Sequence, residues 1–581
     1  MPPSRPFLLI ALLHALNPLR AEETLAPAEP VPDAPPATGL PATQPAPSQN
    51  VTVNLINRLV QKNILTRDEA TALIQQAEAD AATAAQNAAT AALPPPAADD
   101  MRVTYIPEVV RNQMRDQIKQ DLMAQAHEEK WSEKAAPDWT SRIRPFGDLR
   151  VRYEGTFFPG GNDNTGAFPN FNAINTGAPL DVNGSQFSPQ YNVDQNRNRA
   201  RLRARVGAEI LLGDGFNGGI RLATGDTNSP TSPNQTLGGS GGNFSKYAIW
   251  LDRAFLSYEA GPGDGEELTF LLGRFDNPFF STEIQWDDDL GFDGLALRGK
   301  VKVSDRATTF FTAGCFPVYN TDFNFASNQP SKFSSTDKWL AAAQLGIDWK
   351  ITDDLTAKFA VAYYDFNGIE GQLSSPMYTP TASDAGDTDT TRPGFAQRGN
   401  TYMPLRDILD DPATPAGSIQ PKYQYYGLAS RFRNLTCTGK LDYDHFKPVR
   451  ISLLGEATKN LAFDRSAISR KAVNNYGPAG SFDGGDTAWY LNFQIGNPAL
   501  EALGDWQAGF GYRYVETDAV VDGFTDSDFG GGGTNVQGFT LGASMALTKA
   551  VRCGLRWMSS NEITGPPLKS DIIQLDLHAK F

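Results

Sequence analysis

The sequence predicts an all-β fold: a transmembrane, antiparallel, up-and-down barrel of about sixteen strands, eighteen being the alternative, after a short α-helical N-terminal arm. Three observations predict it. Apolar residues recur with a period of two from about Ser141 onward, the connections alternate short with long, and the chain stops on an aromatic residue that ends a strand pattern.

The chain has 581 residues, of which 40% are hydrophobic, and its mean hydropathy is negative. After the extreme N-terminus no apolar run reaches the ~20 residues that a spanning helix requires. That test does not apply to membrane barrels, whose strands alternate lipid-facing with lumen-facing residues and so stay polar on average.

The N-terminus reads as an export signal over 1–21. Arg5 supplies a positive charge, Phe7 to Leu16 an apolar core, and Ala21 a small residue at the cleavage point. Residues 22–50 are rich in Pro, Ala and Thr and are expected to form a disordered tether. Helical periodicity follows over 51–138. Leu55, Ile56, Leu59 and Val60 share one face, Thr66 with Glu69 forms a capping box, and Pro107 opens a further polar helix. This arm reads equally as an oligomerising or anchoring device and as a solvated periplasmic spacer.

The barrel segment is expected over 139–581. In its first strand Leu149, Val151 and Tyr153 fall on one face, and Asp148, Arg150 and Arg152 on the other. The next is sharper: Ala200, Leu202, Ala204 and Val206 alternate with Arg197, Arg199, Arg201, Arg203 and Arg205, so five arginines project from one face. In a two-layer sandwich such a row would be a solvated outer surface. In a barrel of this size the interior holds a water-filled channel, and the arginines line it together with Arg221 and Arg298. Tyr153, Trp349, Tyr363, Trp489, Tyr512, Tyr514 and Trp557 near strand ends favour the barrel, because Trp and Tyr gather where headgroups meet hydrocarbon.

Turn residues cluster at Gly213 to Gly215, Gly261 to Glu266, Ser304 to Arg306, Thr352 to Asp354, Lys447-Pro448, Asn497 to Gly504 and Thr548-Lys549. Long connections lie between them, at 158–196, 225–246, 276–291, 317–337, 367–421, 460–486, 518–534 and 561–570. Tight periplasmic turns and extended outer loops mark an outer-membrane barrel. Tyr423 to Phe446 could be split into two strands near Arg433-Asn434. Reading it as one strand keeps the alternation and yields sixteen.

Other chemistries find little footing. The formal charge of -15 argues against nucleic acid. Cys315, Cys437 and Cys553 are too sparse for a disulfide framework and read as apolar fillers on an outer face. The four histidines stand in no triad or metal-ligand spacing, and Gly530 to Gly533 lacks the Lys-Ser/Thr of a phosphate cradle. No enzyme, metal or cofactor is expected.

Several strings carry a closer resemblance: RPFGDLRVRYE (144–154), RNRARLRARVG (197–207), GIRLATG (219–225), LDRAFLSYE (251–259) and GRFDNPFFSTEIQWDDDL (273–290). They resemble the putative porin family of Gram-negative bacteria. The resemblance implies an outer-membrane pore that passes small hydrophilic solutes and ions. It also implies a third loop folded inward, with Glu283, Asp287, Asp288 and Asp289 narrowing the pore opposite Arg199 to Arg205. Homotrimerisation is implied by the same likeness. Phe581, after Ile573, Leu575, Leu577 and Ala579, resembles the signal read by the barrel-assembly machinery. The competing expectation is a structural or partner-binding barrel with a plugged lumen.

Overall fold

The computed structural model describes residues 71–73, 75, 76, 79 and 138–581, except 186, 240, 262–265, 322–335 and 416. The chain divides into two compact units, Met1–Lys119 and Gln120–Phe581. In the first, the described residues are helical and exposed. The expected export signal and tether, and most of the helical arm, lie outside the described residues.

The second unit is a closed antiparallel barrel. Its strands are β1 (Ile143–Phe157), β2 (Arg197–Gly213), β3 (Phe216–Thr224), β4 (Ile249–Ala260), β5 (Glu267–Asp276), β6 (Gly291–Ser304), β7 (Ala307–Tyr319) and β8 (Lys338–Lys350). They continue as β9 (Leu355–Asn367), β10 (Phe432–Tyr443), β11 (Arg450–Asn460), β12 (Thr487–Gly496), β13 (Trp506–Val515), β14 (Val536–Ala546), β15 (Val551–Glu562) and β16 (Lys569–Lys580). Sequential neighbours pair all the way round, and the 17th member of the sheet is the two-residue Gln235–Thr236, bridged to β2, which leaves the expected sixteen spanning strands.

Closure is made by β1, which pairs with β2 on one side and β16 on the other, Val151 lying between Leu202 and Leu577. Phe581 finishes the seam. Its backbone exchanges two hydrogen bonds with Gly147, at 2.9 and 3.0 Å. Its ring covers the space where a Cβ on Gly147 would stand, 2.6 Å away, so only glycine fits there.

Faces separate as the period of two demands. Val151, Val206, Leu272, Leu295 and Leu345 are exposed on the outer wall, whereas Arg152, Arg203 and Gln344 are buried on the inner one. Tyr153, Trp349, Tyr363, Trp489 and Trp557 are all exposed outward, as an interfacial belt requires. The cysteines are free, and Cys437 pairs in register with the exposed Val361 on the lipid side.

The tightest turn, between β2 and β3, places Gly213, Asp214 and Gly215 all at positive φ, where two glycines remove the Cβ clash. All seven such connections lie at one end, with the start of β1 and the end of β16; the long loops lie at the other. One boundary differs from expectation. Residues 423–431 are not part of a spanning strand: Tyr423–Gln424 pairs with Leu180–Asp181, and Tyr426–Leu428 with Tyr402–Pro404, within the loops. Their alternation arises from short loop sheets, so the strand begins at Phe432 and the count is unchanged.

Candidate functional site

The inner wall of β1 and β2 carries the arginine row, and the row is paired rather than bare. Arg203 and Arg205 reach Asp148 at 2.9 and 2.6 Å. Arg199 and Arg201 share Glu154, and Arg152 holds Asp576 on β16 and Asp528, each at 2.7 Å. Arg150 donates to Asn234 at 2.6 Å. Asp148, Glu154 and Asp576 sit on the same strand parity as the arginines, so cross-strand neighbours of opposite charge meet directly. Asp148 was legible as part of that face; Glu154 and Asp576 became partners only through register.

The other named arginines lie apart. Arg197 is exposed at the loop end of β2. Arg221 on β3 binds Asp252 at 2.5 Å and Asp276 at 3.0 Å. Arg298 on β6 lines a separate inner cavity of about 260 Å³ with Lys300, Asp348 and Lys358.

The third loop, 277–290, folds into the barrel. Its first half is fastened to the opposite wall: Phe280 exchanges two 2.8 Å hydrogen bonds with the Gln344 side chain. Thr282 N–H donates to Glu456 at 2.8 Å, and Gln285 accepts from Asn434 at 3.3 Å. Phe279 and Trp286 pack edge-on against Tyr364, both at 5.3 Å between ring centres, which fills that side of the lumen with apolar side chains. The loop then returns toward β2, where Asp289 meets Arg203 and Arg205 at 3.4 and 3.3 Å.

Its acids therefore split into different settings. Asp289 faces the arginine row, and Asp288 is exposed to the lumen beside it. Asp287 does not face that row: it is buried and accepts from the Asp289 and Ser527 N–H groups at 2.8 and 3.0 Å. Burial, with Asp526 and Asp289 nearby, pushes its carboxyl well above the usual range. Glu283 lies against Arg513 at 3.1 Å instead. Its carboxyl is pushed up to about 7, by Asp526 first and burial second.

A second inward loop, 516–535, was not expected from sequence. It is joined to the third loop by Asp287 N–H to Phe524 O at 2.8 Å and Asp526 N–H to Glu283 O at 3.0 Å, a short backbone ladder inside the barrel. Asp526 binds Arg513 at 2.7 Å. Burial alone would raise the Asp528 carboxyl, but Arg152, Arg556 and Arg150 hold it far below its ordinary value. The signal that could have found this loop is Asp526-Ser-Asp528, an acid pair in a segment whose length permits it to fold back.

Opposed charges thus meet in one cluster: Arg150, Arg152, Arg203, Arg205 and Arg556 on the walls, Asp288, Asp289 and Asp528 on the two loops. Beside it a cavity of about 300 Å³, lined by Glu283, Asn492, Arg513, Arg556 and Asp576, continues along β12 to β16. Water and ions are what such a set of fixed charges can act on.

A closed sixteen-strand barrel with aliphatic residues outside and ion pairs inside defines an integral outer-membrane protein of the channel type. The chain belongs to the putative porin family, whose description matches residues 49–581. That membership places it in the outer membrane of a Gram-negative bacterium. No curated protein matches it significantly. Among solved structures it is similar to the outer-membrane channel DcaP of Acinetobacter baumannii, at 13% identity over 76% of this chain and 97% of that one, TM-score 0.35. OprB of Pseudomonas putida is similar at 12% identity over 78% and 97%, TM-score 0.39.

Proposed function

We propose that the protein is a passive diffusion porin, not an enzyme, carrying small hydrophilic solutes and ions through a water-filled lumen. The observation that carries this reading is the contact of Asp289 with Arg203 and Arg205, a loop acid meeting a wall of arginines inside the barrel. Opposed fixed charges there set up a transverse field that orders water and sorts solutes by size and polarity. In this reading Arg150, Arg152, Arg199, Arg201, Arg203 and Arg205 form the charged wall, and Arg298 lines a neighbouring stretch. Asp288 and Asp289 narrow the passage, Asp287 and Glu283 hold the loop in place, and Phe581 serves assembly. Trimerisation stays part of the proposal.

Purified full-length protein in planar bilayers should give discrete conductance steps. A correctly folded, inserted barrel that passes no current would overturn the reading in favour of a plugged structural barrel. That alternative is favoured by the interlocked outer loops, where buried Asn400 donates to Thr517 O and Val520 O at 2.6 and 2.8 Å.

A further inference from the structure

A third cavity, of about 280 Å³, lies at the long-loop end of the barrel. Its strand contributors come from the loop-side ends of β5, β6, β7, β8 and β9, and the rest from the second, third, fifth and seventh long loops. Unlike the two inner cavities it is mostly apolar, with Trp286, Phe316, Phe366, Phe395 and Phe524 on its walls. Apolar surface that the described residues leave uncovered is unfavourable unless something occupies it. A dry cavity of about 150 Å³ accepts benzene. This one has room for a substituted ring or two fused rings.

The polar groups on the lining are unevenly charged. Its one acid, Asp293, is already held through both oxygens by Arg274 Nη1, at 3.0 and 2.9 Å. The other guanidinium nitrogen, Nη2, donates to no protein group among the described residues. Among the described residues Lys338, 2% exposed, donates to the Thr390 and Arg392 carbonyls alone, at 2.9 and 2.8 Å, and lies 4.6 Å from the centre of the Tyr319 ring. No carboxylate pairs with it among the described residues. A buried ammonium held by neutral groups alone leaves a charge that an incoming anion can compensate.

We propose that this cavity binds a small aromatic carboxylate, its ring between the Phe and Trp side chains and its carboxylate toward Lys338 and Arg274, as an entry site above the lumen. The proposal refines the diffusion reading by naming a solute class, and it rests on that reading for its biological sense. A neutral aromatic would use the walls but leave the cation unanswered. An aliphatic acid would do the reverse.

Calorimetric titration of the detergent-purified full-length protein with sodium 2-naphthoate, 2-naphthalenemethanol and sodium acetate tests it. Naphthoate should bind saturably at one site and about tenfold more tightly than the neutral alcohol, as one added charge-assisted contact predicts, with no heat from acetate. Lys338→Met should abolish that advantage while changing the alcohol's affinity by less than about twofold. Val318→Trp, which fills the cavity without touching either cation's charge, should remove both. Each variant is first checked for heat-modifiable migration as a folded barrel and for KCl conductance. Undiminished naphthoate binding in Val318→Trp, equal affinity for acid and alcohol, or no saturable binding would overturn the proposal. A protein that conducts KCl without binding naphthoate leaves the porin reading standing; one that binds without conducting overturns that reading instead.

Discussion

Asp289 is the residue on which the most specific expectation rests, since it bridges Arg203 and Arg205 from the third loop. Replacing it by Asn leaves the geometry and removes one negative charge beside the passage. A unit charge at ~4 Å in water is worth about 1 kcal/mol, so the anion-to-cation permeability ratio should rise by roughly fivefold, read as a reversal potential in a salt gradient. An unchanged ratio would mean that ions do not pass this point. Asn400 is the corresponding residue for the outer loops: it is fully buried, and its Oδ1 accepts the Asp522 N–H at 2.7 Å. Asn400→Ala strands the Asp522 N–H and the Val520 carbonyl at about 1–3 kcal/mol each, whereas the Thr517 carbonyl keeps its bond from Thr534 Oγ1. Trypsin should then cut after Arg398 at least several times faster than in the wild type. Acid-base behaviour belongs here too. Burial pushes the Asp522 carboxyl up to about 7 and the Asp518 carboxyl up to about 6, partly offset by the Tyr402 and Thr401 hydrogen bonds. The folded loops hold protons that unfolded carboxyls, near 4, would release. Loop packing is therefore favoured at low pH and loses stability as pH climbs from about 4 to about 7. Protease protection of loops 368–431 and 516–535, corrected for enzyme activity, should be greater at pH 5.5 than at pH 8; the opposite trend would contradict these settings.

At the scale of the element, β8 gives the clearest contrast. Gln344 and Leu345 are neighbours in sequence, yet Gln344 is buried against the third loop and Leu345 is 65% exposed on the outer wall. Leu345→Arg should cost about 2–4 kcal/mol near the middle of the bilayer, lowering the folded fraction in urea titrations of the barrel in lipid. Gln344→Ala should instead leave the barrel folded and loosen the loop, because both Phe280 backbone bonds go with it. The resulting change is expected in channel noise and conductance rather than in stability. Strand periodicity of this kind was readable in the sequence wherever one face is aliphatic. It misled at 423–431, where short loop sheets alternate for their own reasons.

At the scale of the whole molecule, the seam at Gly147 and Phe581 joins the first strand to the last residue. Gly147→Val should place a branched side chain where the Phe581 ring lies and reduce the yield of folded barrel, measured by heat-modifiable gel migration. A normal yield would mean that the seam tolerates displacement of that ring.

Sequence by itself determined the barrel, the sixteen strands, the lipid and lumen faces and the side of each loop, because these follow from a local period of two and from the lengths between turns. The arginine row was equally local. Only the tertiary structure decided which acids answer it. Asp148, Glu154 and Asp576 do so through cross-strand register, and Asp528 through a second inward loop; of the third loop's acids Asp289 pairs with that row, Glu283 pairs with Arg513 instead, and Asp287 turns away. Those choices depend on where separate loops meet inside a closed cylinder, and residues 240 positions apart along the chain, such as Asp287 and Ser527, carry no mark of that meeting in their own neighbourhoods.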